Sequence, residues 1–190
     1  MLSRRHLRIR VMQALYAYYQ SEQKDIRRSE QELLNGTEKI FELYLTILQF
    51  FNELSHQEYV YYEDTPASMV TGKRKTAAST LKSMSFFKWL EENKRLTDEI
   101  KKRKISWQND MDAVKKTFYH LRQQNNYQAF ILSETHTAEQ ESKFLKWLFK
   151  ELFSTTDFIS HLLEEKNIYW AESLDLIESM VMKTFESAKS

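Results

Sequence analysis

The chain has 190 residues, which suits one domain or two small ones with a real hydrophobic core. It contains 2 Gly, 1 Pro and 0 Cys, so it has little material for tight turns or phosphate-cradling glycine loops. The absence of cysteine excludes a disulfide framework and a thiolate metal site. The formal net charge is +1, so any nucleic-acid binding must come from a local patch of the surface.

Nearly every apolar run has helical rather than alternating spacing, which predicts an all-α helical bundle. The most apolar segment, 40–51, is interrupted by polar residues and is too short to span a bilayer. The basic N-terminus is not followed by an uninterrupted apolar stretch and a cleavage site, so no signal peptide is predicted. We therefore expect a cytoplasmic protein that does not contact the membrane.

The first predicted helix, 4–22, begins with a basic cluster of Arg4, Arg5, His6 and Arg8, and no acidic residue precedes Glu22. Unpaired backbone N–H groups already make a helix N-terminus partly positive, so cations there cost roughly a few tenths of a kcal/mol each. An external anion explains such a cluster better than the fold does, because the same end of a helix binds phosphate well. We interpret the cluster as a nucleic-acid contact, with a merely solvated N-terminus as the alternative.

The same helix carries two apolar stripes on roughly opposite sides. The first stripe consists of Leu7, Val11, Ala14, Leu15 and Tyr18, and the second of Ile9, Met12, Tyr16 and Tyr19. A helix with two apolar faces is typical of a position between two groups of packed helices. The pattern therefore predicts that the first helix is a central strut with a basic tip.

Further helices are predicted along the rest of the chain, with a loop over 59–76. Their approximate bounds are 29–58, with a possible kink at Asn35–Gly36; 77–104, with a break near Asn93; a helix starting near Asn109; a helix capped by Thr137; a helix capped within 154–156; and 170–188. The second helix is expected to pack against the first. The basic run at 101–104 ends a predicted helix, which suits the helix dipole, so we interpret it as structural.

The string Arg4-Arg5-His6-Leu7-Arg8, followed by Gln13-Ala14-Leu15-Tyr16, resembles the N-terminal signature of the bacterial transcription antitermination factor NusB family. The spacing matches without a gap. The stretches 105–107, 114–116 and 168–184 resemble a longer variant of that family with a helical insertion.

The resemblance implies a NusB-like N-terminal bundle with additional inserted helices, divided into 1–65 and 66–190. It also implies a second bundle with an Asn-Gly-Val-Leu-type helix, but no such segment occurs before Ser190. We therefore expect a truncated or divergent member, with weak and poorly selective RNA binding that the small-subunit ribosomal protein NusE enhances little.

In function, the resemblance implies an antitermination factor that binds boxA-type nascent ribosomal RNA together with NusE and the transcription elongation complex. By position, Arg4, Arg5, His6 and Arg8 match the arginine-rich motif and are the expected RNA contacts. Gln13 and Tyr16 also match, and we expect them to orient the helix.

Nothing in the sequence predicts catalysis, a cofactor or a metal. The five histidines are dispersed, with no His-Glu-x-x-His pair, and no glycine-rich dinucleotide fingerprint or nucleophile elbow occurs. The alternative to RNA binding is a helical adaptor that docks a protein partner through its aromatic stripes. Its candidate anchors are the tryptophans at 89, 107, 147 and 170, although a core position is the commoner role for each.

Overall fold

The computed structural model describes residues 4–22, 24–64, 81–133, 136–155, 165, 170 and 173–188, and nearly all of them are helical. The α-helices in chain order are α1 (Arg4–Gln20), α2 (Ile26–Asp64), α3 (Ser85–Glu92), α4 (Lys94–Lys102), α5 (Met111–Gln123), α6 (Asn125–Leu132), α7 (Ala138–Lys150) and α8 (Leu174–Ser187). Short 3₁₀ turns precede α3 and α5, and a π-helical turn follows α7. No strand occurs within the described ranges, so the prediction of an all-α helical bundle is confirmed.

The centre of the bundle is α2, a helix of 39 residues that is roughly 60 Å long. Apolar side chains in its middle are buried on nearly every side of the helix: Leu43, Leu45, Ile47, Leu48, Phe50, Phe51 and Leu54. The helices α3, α4, α5 and α8 all pack against it. A helix that is apolar all round is stable only when other helices enclose it, so these residues determine where the core lies.

Packed aromatic rings hold the surrounding helices against α2. The Phe51 ring lies 6.0 Å from Phe86 on α3 and 5.8 Å from Phe185 on α8, and those two rings meet edge to face at 4.4 Å. Trp107 donates from Nε1 to the backbone carbonyl of Thr46 at 3.0 Å, within the buried core. Edge-to-face pairs of this kind each add about 0.5–1.5 kcal/mol beyond the area they bury.

The prediction that the first helix is the central strut is wrong. On the second stripe of α1, Met12, Tyr16 and Tyr19 are between 68% and 69% exposed and Ile9 is 47% exposed. The first stripe packs only partly: Ala14 and Tyr18 are half-buried, whereas Leu15 is 46% exposed. The chain turns back after α1, which therefore lies against the first part of α2 at the edge of the bundle.

The second helix extends beyond both predicted ends. It begins earlier because the Asp25 carboxylate caps it, accepting from the backbone N–H groups of Arg27 and Arg28 at 3.0 and 3.2 Å. It ends later because Tyr61 packs 5.4 Å from the Phe118 ring on α5. The predicted loop over 59–76 is therefore wrong for 59–64. The helix also continues through Asn35–Gly36.

Two predicted boundaries are confirmed by their capping contacts. The break near Asn93 separates α3 from α4, and the Asn93 side chain accepts from the Leu96 backbone N–H at 3.1 Å. Thr137 and Gln140 form a complete capping box at the start of α7. One unpredicted break occurs at Gln124, where the chain becomes extended between α5 and α6.

Several predictions lie outside the described residues: the loop at 65–76, the stretch 77–80 and most of the segment after the cap at 154–156. The predicted division into 1–65 and 66–190 also falls in a range that is not described, and it stays a prediction. Within the described ranges, α2 shares one hydrophobic core with residues from 81 to 185.

Candidate nucleic-acid interface

The basic tip of α1 exposes two of the predicted RNA-contact residues. Arg4 and Arg8 lie one helical turn apart on the same side of α1, and both side chains are exposed. The helix has no acidic residue in its first turn, and neither arginine forms an ion pair with another described residue. The tip therefore presents positive charge that its described surroundings leave uncompensated. The side chains of Arg5 and His6 lie outside the described residues, although the backbone of both is helical.

Arg10 has a different role from the arginines of the tip. Its half-buried guanidinium donates to Ser173 Oγ at 3.1 Å and to Gln13 Oε1 at 3.5 Å. Ser173 directly precedes α8, so this contact ties α1 to the far end of the chain. Arg10 therefore helps to hold α1 in place, and the expectation that Gln13 orients the helix stays a prediction.

Two exposed tyrosines lie further along α1. Tyr16 and Tyr19 are each 69% exposed, on the same helix as the arginines. Tyr16 was expected to orient the helix, but a ring this exposed cannot hold α1 against a neighbour. Exposed aromatic rings are a surface on which unpaired bases can stack, and these two lie two or more helical turns after Arg8 on the same helix. The sequence gives no signal for their exposure, because both tyrosines belong to an apolar stripe that is typical of a buried face.

A cavity of about 500 Å³ opens beside α1, between α2 and the residues that precede α8. Its walls include Arg10, Lys39 and Glu32 as well as the apolar face of Ile40. Trp170 also lines it, and the indole Nε1 is buried with no hydrogen-bond partner among the described residues. The cavity therefore has a mixed charge, and Arg10 is the residue of α1 that lines it.

Within the second basic run, Arg103 has structural contacts. Arg103, directly after α4, donates to Glu38 on α2 at 2.6 Å and to Glu99 at 3.3 Å. The hydrogen bond with Glu38 raises the pKa of the Arg103 side chain above its ordinary value. The guanidinium also lies 5.0 Å from the centre of the Phe41 ring. These contacts neutralise the charge of Arg103 within the fold.

The tryptophans proposed as protein-docking anchors are mostly core residues. Trp107 and Trp170 are 1% and 5% exposed, so neither can reach a partner from the surface. Trp89 and Trp147 are partly buried and pack against the hydrophobic core. Exposed apolar surface is concentrated instead on α1.

Outside α1, the polar side chains that the structure describes form only small groups. Among the described residues, no group of three or more His, Asp or Glu side chains is arranged to hold a metal ion. His120 and Glu151 form a single pair at 3.0 Å between α5 and the π-helical turn. The carboxylate of Glu58 is fully buried, where it accepts hydrogen bonds from Tyr127 and from the backbone of Leu81. Its burial indicates a structural role.

None of the described helices is both long and apolar enough to cross a bilayer. Comparison of the chain with protein-family models, with curated proteins and with solved structures finds no match.

Proposed function

We propose that this protein binds single-stranded RNA through the N-terminal tip of α1. The observation that carries the proposal is the pair of exposed arginines, Arg4 and Arg8, on a helix that contains four arginines and no acidic residue. The helix dipole adds to this charge instead of opposing it, so a phosphate backbone is the natural counterion. By the same positional argument, Arg5 and His6 complete the RNA contact.

Within this proposal, the specific role is that of a NusB-type antitermination factor. The resemblance of the N-terminal motif supports boxA-type RNA as the ligand and NusE in the elongation complex as the partner. The role is non-enzymatic and cytoplasmic. The exposed Tyr16 and Tyr19 give unpaired bases a surface on which to stack, which favours single-stranded over double-stranded RNA.

The test is the double variant Arg4→Ala/Arg8→Ala, titrated into labelled boxA-type RNA at 50 mM and at 200 mM salt. We expect binding to weaken by about 1–3 kcal/mol. The slope of log affinity against log salt concentration should become shallower by roughly 0.7 for each phosphate that the variant no longer neutralises.

The matched control is Lys101→Ala/Lys102→Ala, which removes the same charge from two exposed lysines at the end of α4. Its effect on RNA binding should be small, because these lysines lie on a different helix. If the arginine variant binds RNA as tightly as the wild type does at both salt concentrations, the tip is not the RNA site.

The NusB-type role has its own test, in which boxA-type RNA and a scrambled RNA are titrated with and without NusE. A partner changes the RNA affinity only by the coupling free energy of the ternary complex, and we expect a weak preference for boxA-type RNA with little enhancement by NusE. Equal affinity for both RNAs would reduce the proposal to RNA binding without the NusB-type role, and strong tightening by NusE would contradict the expected small enhancement.

A further inference from the structure

The outer face of α1 is an exposed apolar surface, distinct from the basic tip. It consists of Ile9, Met12, Tyr16 and Tyr19, which are 47%, 68%, 69% and 69% exposed. Scattered apolar side chains on a surface need no explanation, but four on one face of a single helix form a contiguous patch. The patch therefore indicates a binding partner that covers this face of α1.

The rest of α1 fixes the direction of this face. The half-buried Ala14 and Tyr18 lie on the opposite side of the helix, toward α2. Arg10 secures that side through its hydrogen bond to Ser173. The helix therefore cannot turn its outer face inward without breaking these contacts.

The spacing of the four residues matches a second helix. They follow one another at intervals of three, four and three positions, which is the a/d seam of a coiled-coil helix. A partner helix would place its own apolar residues between them, as in helix-in-groove recognition. RNA fits this seam less well, because Ile9 and Met12 have no aromatic ring on which a base can stack.

Charge decides which kind of helix fits. Arg8 lies beside the seam and Arg4 lies one turn before it, both exposed, and α1 contains no acidic residue. A second copy of α1 would bring the same arginines and no carboxylate to the seam. A helix with Asp or Glu along its apolar stripe would instead neutralise them.

We propose that the outer face of α1 binds an acidic amphipathic helix of a partner protein. This goes beyond RNA binding: the seam holds the partner helix, whereas the tip holds phosphates. The two ligands share Arg8 and, under the proposed function, the rings of Tyr16 and Tyr19, so a bound acidic helix and a bound RNA would compete at these residues.

The test uses two synthetic helical peptides of about 21 residues, each with Leu at the a and d positions. One peptide has Glu at the e and g positions and the other has Lys. Binding of the fluorescent peptides to the full chain is followed by anisotropy. We expect the Glu peptide to bind at least about tenfold more tightly than the Lys peptide, and Arg8→Ala to reduce that preference.

The seam itself is tested with Met12→Ser/Tyr16→Ser, because both side chains are exposed and their removal leaves the core intact. The matched control is Tyr119→Ser/Leu132→Ser, at residues that are 47% and 61% exposed on other helices. The seam variant should bind the Glu peptide about tenfold or more weakly than the wild type does, and the control less than about twofold more weakly. Unchanged circular dichroism confirms that both variants fold.

Three results would overturn the proposal. The first is equal affinity for the Glu and Lys peptides. The second is sedimentation equilibrium that shows a dimer of the chain abolished by the seam variant, because a second copy would then be the occupant. The third is a seam variant that loses RNA binding while peptide binding is unchanged, which would assign the face to RNA.

Discussion

The buried carboxylate of Glu58 makes Tyr127 the most informative position at which to test the fold. Glu58 on α2 is 0% exposed, and its two oxygens accept hydrogen bonds from the Tyr127 hydroxyl on α6 and from the backbone N–H of Leu81. The cluster joins two helices and the turn before α3. The Tyr127 hydroxyl also has a hydrogen bond with Tyr62. Tyr127→Phe removes the hydroxyl and almost no apolar contact, so its effect on the unfolding free energy reports on this hydroxyl's hydrogen bonds, and a Glu58→Gln background separates the contribution of the carboxylate.

We expect Tyr127→Phe to lower the free energy of unfolding by about 2 kcal/mol. A hydrogen bond to a charged group contributes about 1.5–3 kcal/mol, and an acceptor that stays buried without its donor keeps its desolvation cost. For a chain of this size, the change corresponds to a Tm lower by roughly 4–8 °C. Urea unfolding measures it, and an unchanged m-value shows that only stability is affected.

Two further variants identify the cause of this destabilisation. Tyr119→Phe removes a hydroxyl from a tyrosine that is 47% exposed on α5, and it should cost less than about 0.5 kcal/mol. In a Glu58→Gln background the acceptor is neutral, so Tyr127→Phe should cost about 1 kcal/mol or less. A cost that is the same in both backgrounds, or one below about 0.5 kcal/mol in the wild type, would refute the charged hydrogen bond.

Three more predictions concern pH and local backbone geometry. Burial, and then the charge of Glu58, raises the pKa of Tyr127 well above its ordinary value; the unfolded chain therefore ionises first, and the free energy of unfolding should fall as the pH rises above about 10, less steeply in Tyr127→Phe. Lys104 has a φ of 56°, a conformation that glycine adopts more readily than lysine, so Lys104→Gly should stabilise the fold by up to about 1 kcal/mol. Lys102→Gly replaces a helical residue of α4 and should destabilise the fold by a similar amount. Thermal melts compare the two variants. Thr137→Ala should cost about 1 kcal/mol because it removes the capping box at α7, and Thr137→Ser should restore most of it in urea unfolding. A destabilising Lys104→Gly, or a neutral Thr137→Ala, would contradict these two assignments.

Short-range chemistry explains which parts of the fold could be predicted from the sequence. The helix start at Thr137 and the break at Asn93 depend on side chains that bond to backbone only three residues away. The interpretation of the basic run at 101–104 as structural needed only the helix dipole, although the ion pair of Arg103 with Glu38 is a distant contact. Tyr61 shows where prediction from local sequence fails. Its packing against Phe118, on a distant helix, keeps residues 59–64 helical where a loop was predicted.

The candidate interface also has one part that the local sequence predicts and one part that it does not. The local sequence alone identified the basic start of the first helix, since the conflict between arginines and the helix dipole is visible without knowing any neighbour. The exposure of Tyr16 and Tyr19 could not be predicted, because an apolar stripe looks the same whether another helix covers it or not.

The sequence by itself therefore determined the all-α class, several helix boundaries and the charge of the N-terminal tip, all of which depend on contacts within a few residues. Only the tertiary structure decided which helix is central. Both α1 and α2 have apolar residues on more than one face, but α2 carries enough large side chains, among them Phe50, Phe51 and Leu54, for several helices to pack around it. With α2 at the centre, α1 is left at the edge of the bundle, with Arg4, Arg8 and one apolar face exposed.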